Sequence, residues 1–75
     1  SWKMRLRSEF GLTAAEAELA LEIMRGDGRE AAAARLGITV ATVRTHLLHI
    51  FEKTGVHRQA ELVRLLLDRA QAPGG

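Results

Sequence analysis

The chain has no cysteine, no tyrosine, one proline and three other aromatics in 75 residues. Without cysteine there is no disulfide framework and no thiolate metal site, which suits a reducing compartment. No apolar run approaches the ~20 residues needed to span a bilayer as a helix. The opening "SWKMRLRSEFG" is basic without an apolar core, so no signal-peptide pattern is visible. Strand patterns, internal repeats and low-complexity segments are likewise missing. These absences point to a small all-α chain, expected to be cytoplasmic and not membrane-bound. A nucleophile–base pair at a recognisable spacing and a Gly-rich phosphate loop are also lacking, so the chain reads as a non-enzyme needing no cofactor.

The composition is 47% hydrophobic and 27% charged, ordinary for a globular domain. At this length a domain buries roughly 60–65% of its unfolded surface, near the lower limit for a self-sufficient core. Net charge is only +2, with 11 Lys and Arg against 9 Asp and Glu, so distribution matters more than total. Glu9, Glu16, Glu18, Glu22, Asp27 and Glu30 crowd the first half. From Ile38 to Ala60 the one carboxylate is Glu52, set against Arg44, Lys53, Arg58 and three histidines.

Residues 1–11, with Lys3, Arg5 and Arg7, read as a linker or N-terminal lead, residues 12–70 as the domain, and 71–75 as a disordered tail. The pattern predicts four helices. "LTAAEAELALEIMRG" opens with Thr13 as cap and Glu16 three residues on, a capping box, and ends at Gly26. Leu19, Ala20 and Ile23 share its inner face, while Glu18, Glu22 and Arg25 face water. A second helix is predicted over Arg29–Leu36, with Gly28 or Asp27 as its weak cap. A third, capped by Thr39, covers Val40–Thr54, with Val43, Leu47, Ile50 and Phe51 as a core stripe. A fourth covers Arg58–Ala70, with Leu62, Leu65 and Leu66 inward.

The second helix, a Gly turn and the third helix follow a helix-turn-helix layout. A small residue is needed where the helices cross, and Ala33 is there; Gly37 supplies the turn, and Leu36, Ile38 and Val43 fill the elbow. Once the core stripe is subtracted, the third helix presents Ala41, Arg44, Thr45, Leu48 and Glu52, flanked by Thr42 and His49. A helix of this kind fits the major groove of DNA, where an arginine can pair bidentately with guanine. Arg44 is therefore the first candidate for base reading. His46 and His49, one turn apart, could supply half of a metal site with His57 or Glu52, but no second strong ligand pair accompanies them, and no metal site is expected.

The segment "LGITVATVRTHLLHIFEKTGV" resembles the pattern LGIS-x-x-TV-x-x-H-x-x-x-I-x-x-K-L-G-V of the LuxR-type helix-turn-helix domain of bacterial transcription regulators. Thr42, Val43, His46, Ile50, Lys53, Gly55 and Val56 all match, and the resemblance extends over Leu12 to Leu67. Departures are Thr39 for Ser, Thr54 for Leu, Ala15 for Arg, Ala32 for Ile, Gly28 for a Ser cap, and Arg58–Gln59 for a polar residue followed by Arg. The resemblance implies sequence-specific binding of double-stranded DNA, with Thr45 and Leu48 joining Arg44 at the bases. Phosphate contacts are expected from Thr42, His46, His49, Lys53 and Arg58. It further implies a homodimer through the fourth helix, with Val63, Arg64 and Leu67 on the dimer face, and RNA polymerase as a candidate partner. The rival expectation is a small protein-interaction module that uses the leucine-rich fourth helix.

Overall fold

The computed structural model describes residues 1–71 and contains, among them, five helices: α1 (Trp2–Phe10), α2 (Ala14–Ile23), α3 (Arg29–Leu36), α4 (Val40–Thr54) and α5 (Gln59–Ala70). The all-α class is as expected, and the fifth helix is a difference. The expected linker is α1. The Ser1 hydroxyl accepts from the Met4 N–H at one end, and Gly11 closes the other in the left-handed conformation. Leu6 of α1 is fully buried against the core. Of the expected 71–75 tail, Gln71 follows α5 as a turn, and residues 72–75 lie outside the described residues.

Local chemistry explains the other helix ends. The capping box of α2 is complete: the Thr13 hydroxyl accepts from the Glu16 N–H, and the Glu16 carboxylate accepts from the Thr13 N–H. This satisfies two backbone donors that a helix start otherwise leaves bare. The helix ends at Ile23, one turn before Gly26. Gly28 precedes α3 without a side-chain cap, and the Thr39 hydroxyl caps α4 by accepting from the Thr42 N–H.

The turn between α3 and α4 depends on Gly37, whose φ of 68° is strained for any residue with a Cβ. It allows the Gly37 and Ile38 N–H groups to return to the carbonyls of Ala34 and Ala33. Ala32 and Ala33 are buried, so their small side chains bring the α3 backbone close to its neighbours.

The α2 helix is central, packing against α1, α3 and α4, while α3 also packs on α4. Leu12, Leu19, Ile23, Val43, Leu47, Ile50, Leu62 and Leu66 form the core with Leu6 and the small alanines. Phe51 is half-buried at its margin, and Leu65, expected inside, is also only half-buried. The 12-residue α5 places Leu62 and Leu66, one turn apart, inward.

Candidate nucleic-acid interface

With Val43, Leu47 and Ile50 committed to the core, the opposite side of α4 is fixed by helical geometry. Ala41, Thr45, Leu48 and Glu52 recur at i, i+4, i+7 and i+11, all exposed, and Arg44 lies beside them. Arg44 makes no ion pair or hydrogen bond among the described residues. Its five guanidinium donors are therefore open to an incoming partner. The Thr45 hydroxyl is turned back, donating to the Ala41 carbonyl at 3.3 Å, which leaves its methyl and oxygen lone pairs for outside contacts. Leu48 is 62% exposed and borders a shallow depression lined by Phe51, Glu52, Gly55, Val56 and His57. The middle of the presented face is consequently apolar.

One flank of α4 is organised around a carboxylate from another helix. The Glu16 side chain, only 4% exposed, accepts from the Lys53 ammonium at 2.6 Å, and His49 Nδ1 lies 3.5 Å from its second oxygen. Burial raises the Glu16 pKa, but the hydrogen bond from Lys53, the Thr13 N–H, the charge of Lys53 and the Thr13 hydroxyl together outweigh it. The carboxyl is held below its ordinary value. His46, half-buried, completes the cluster: one donor atom each of Glu16, His46 and His49 lies within 4.8 Å of the others. The carboxylate nearest the two histidines is thus that of Glu16, rather than a group of His57 or Glu52.

A second polar cluster ties α3 to α2 and to the loop between them. Arg35 of α3 reaches Glu22 of α2 at 2.5 Å and both carboxylate oxygens of Asp27, at 2.6 and 3.0 Å. Glu22 is therefore a clamp residue rather than a solvated charge. Hydrogen bonds from Arg35 hold the Asp27 carboxyl below its usual pKa, and the same bonds raise that of Arg35.

An outward helix face at the end of a helix–turn–helix pair, bearing an open arginine, now has a family context. A family model described as bacterial regulatory proteins, luxR family, matches residues 11–66. The chain belongs to the LuxR family. Comparison with curated proteins and with solved structures gives no match. The LuxR-type domain is a DNA-binding module of transcription regulators, and α1 lies outside the matched region.

Within this LuxR-type domain the expected site residues divide into groups. Arg44, Thr45 and Leu48 share the outward face of α4. Thr42, His46, His49 and Lys53 lie on its Glu16 flank, where the Thr42 hydroxyl is 2.9 Å from that of Thr39. Arg58 is set apart, exposed at the start of α5, where its carbonyl accepts from the Leu62 N–H. On α5, Arg64 and Leu67 are exposed, with Arg64 3.9 Å from Asp68, whereas Val63 is half-buried against the core. No helix among the described residues is long and apolar enough to cross a membrane.

Two residues with a bearing on the site were not expected there. Glu16 was read only as a capping residue, yet it also anchors Lys53 across 37 positions of sequence. Arg35 carried no expectation at all. The capping-box signal marks Glu16 as a local acceptor, but nothing local to Arg35 singles it out.

Proposed function

We propose that this domain reads a specific operator by laying α4 in the major groove of double-stranded DNA. Arg44, Thr45 and Leu48 face base edges in this reading. The observation that carries it is the outward face of α4: one open arginine beside an exposed leucine, held by an inner face that belongs entirely to the core. Arg44 would donate two hydrogen bonds to a guanine, and the leucine and threonine methyl groups would meet thymine methyls.

Thr42, His46, His49, Lys53 and Arg58 are proposed to face phosphates and fix the register. Their contributions are unequal. Lys53 shares its charge with Glu16, so Arg58, exposed and with no ion pair among the described residues, adds more attraction to the backbone.

The domain is further proposed to act in the cytoplasm as a homodimer through α5, regulating transcription in contact with RNA polymerase. Two copies would place their reading helices about 34 Å apart, on half-sites one helical turn from each other. The 43% exposure of Leu67 and the outward Arg64 support an α5 contact, and Val63 would contribute from its edge.

Selection of bound sequences from random DNA, followed by Arg44→Ala, tests the reading. The variant is expected to lose about 1–3 kcal/mol on the selected site and to relax preference at one base pair. An equal loss on selected and random DNA would overturn the role of Arg44 as a base reader.

A further inference from the structure

We propose that Glu16, His46 and His49 form a binding site for a divalent transition-metal ion of the zinc type, bridging α2 and α4, a use of the two histidines that competes with the phosphate contacts proposed above. Two imidazoles and one carboxylate are a ligand set that zinc takes in tetrahedral sites with an open fourth position. The two histidines are one helical turn apart, so their rings leave α4 on the same side. Glu16 arrives from α2, and donor atoms of all three already lie within 4.8 Å of one another.

The details favour an ion more than a simple ion pair. Glu16 divides its oxygens: Oε1 accepts from the Thr13 N–H at 2.9 Å and from Lys53 at 2.6 Å, while Oε2 faces His49 Nδ1. The 3.5 Å between Oε2 and Nδ1 is long for a hydrogen bond. It is close to the ~3.3 Å that separates two corners of a tetrahedron with metal–ligand bonds of about 2.0–2.1 Å. Lys53 and Thr13 then act as outer partners that orient the ligating carboxylate, an arrangement that metal sites commonly use.

The donors also select the ion. Nitrogen from two imidazoles disfavours calcium and magnesium, which take oxygen ligands. Lys53 places a positive charge nearby and lowers the affinity, so the site is one of moderate strength. His49, about half exposed, has room to turn toward the ion, whereas Glu16 is already fixed. Occupation would fasten α2 to α4 and stabilise the fold by an amount that grows with the logarithm of metal concentration.

The test uses cobalt(II) as a spectroscopic probe and zinc as competitor, with the whole 75-residue chain. Cobalt is expected to produce visible ligand-field bands of tetrahedral nitrogen–oxygen coordination, which zinc displaces, and zinc alone is expected to raise the Tm. His49→Ala, at an exposed position that leaves the core intact, should weaken binding by more than about a hundredfold, beyond the roughly 10–100-fold usual for the loss of an outer partner. His57→Ala, outside the cluster, should leave it unchanged. Binding that survives His49→Ala, binding that is lost in His57→Ala, or the absence of both bands and Tm shift in excess metal would each overturn the proposal.

Discussion

The two sides of α4 treat charge in opposite ways. On the flank toward α2, Lys53 is held by a nearly buried carboxylate, and the neighbouring face is closed by Val43, Leu47 and Ile50. On the outward side, Arg44 makes no ion pair among the described residues and Leu48 stands exposed. The same contrast recurs along the motif, where Arg35 is clamped to Glu22 and Asp27 nine residues before the open Arg44. Clamped cations build the platform, while the open ones are left for a partner. In domains of this size, whose total stability is on the order of 5 kcal/mol, the two duties fall mainly on separate residues, Lys53 being given a share in both.

That separation can be broken from the inside first. Leu47→Ala removes a fully buried side chain at the centre of α4 and should destabilise the fold by about 2–5 kcal/mol, measured by urea unfolding. At temperatures where the variant remains folded, its preference among DNA sequences should be unchanged. A changed preference would mean that the two faces are not separable.

Lys53→Met is the next largest expected effect. It keeps the aliphatic stem but leaves the Glu16 carboxylate without its ammonium partner, for an expected loss of about 1–3 kcal/mol. The same pair gives a pH signature. Because the folded Glu16 pKa lies below the reference value of 4.5, the stabilisation is fully present above that value. It is lost as pH falls through the lower, folded pKa, where the carboxylate takes up its proton. Unfolding measured from about pH 6 down to about pH 3 should show this decline, and Glu16→Gln should flatten it. An unflattened curve would assign the acid sensitivity to other carboxylates.

The smallest expected effect lies at the far end of the outward stripe. Glu52 carries a negative charge on the face proposed to meet DNA. Glu52→Gln should tighten binding on every sequence alike, by about 0.2–1 kcal/mol at low salt, with no change in unfolding. Weakening on the selected site alone would instead make Glu52 a base reader, accepting from a cytosine amino group.

What was legible in the sequence follows from distance along the chain. Thr13 with Glu16, Thr39 with Thr42, and the turns at Gly37 and Gly55 are local devices, so their residue types announce the ends of α2, α3 and α4. The spacing of Val43, Leu47 and Ile50 likewise gives the inner face of α4, and thereby its outer one. The α1 helix gave no such signal. Its one fully buried residue is Leu6, and the stripe it shares with Trp2 and Phe10, at i, i+4 and i+8, spans only nine residues and is interrupted by Lys3, Arg5, Arg7 and the outward Met4. The Lys53–Glu16 pair spans 37 positions and the Arg35–Glu22 pair 13, distances over which periodicity says nothing about contact. Arg44, Thr45 and Leu48 could be grouped in advance because one helix carries all three. Glu16 could not be grouped with His46 and His49, because two helices had to be packed first.

The manner in which α1 is attached has a consequence for local opening of the backbone. It rests on α2 through Leu6 and a partly exposed Lys3–Glu18 pair, and reaches α5 through Arg69, which meets Glu9 and lies 5.7 Å from the centre of the Phe10 ring. With Leu6 its one deeply buried side chain and Trp2 and Phe10 only partly buried beside it, it can separate from the bundle at a fraction of the global unfolding free energy. Its amide protons should therefore exchange with solvent by a route that the amides of α4 do not share, making α1 the first unit to leave and the last to return.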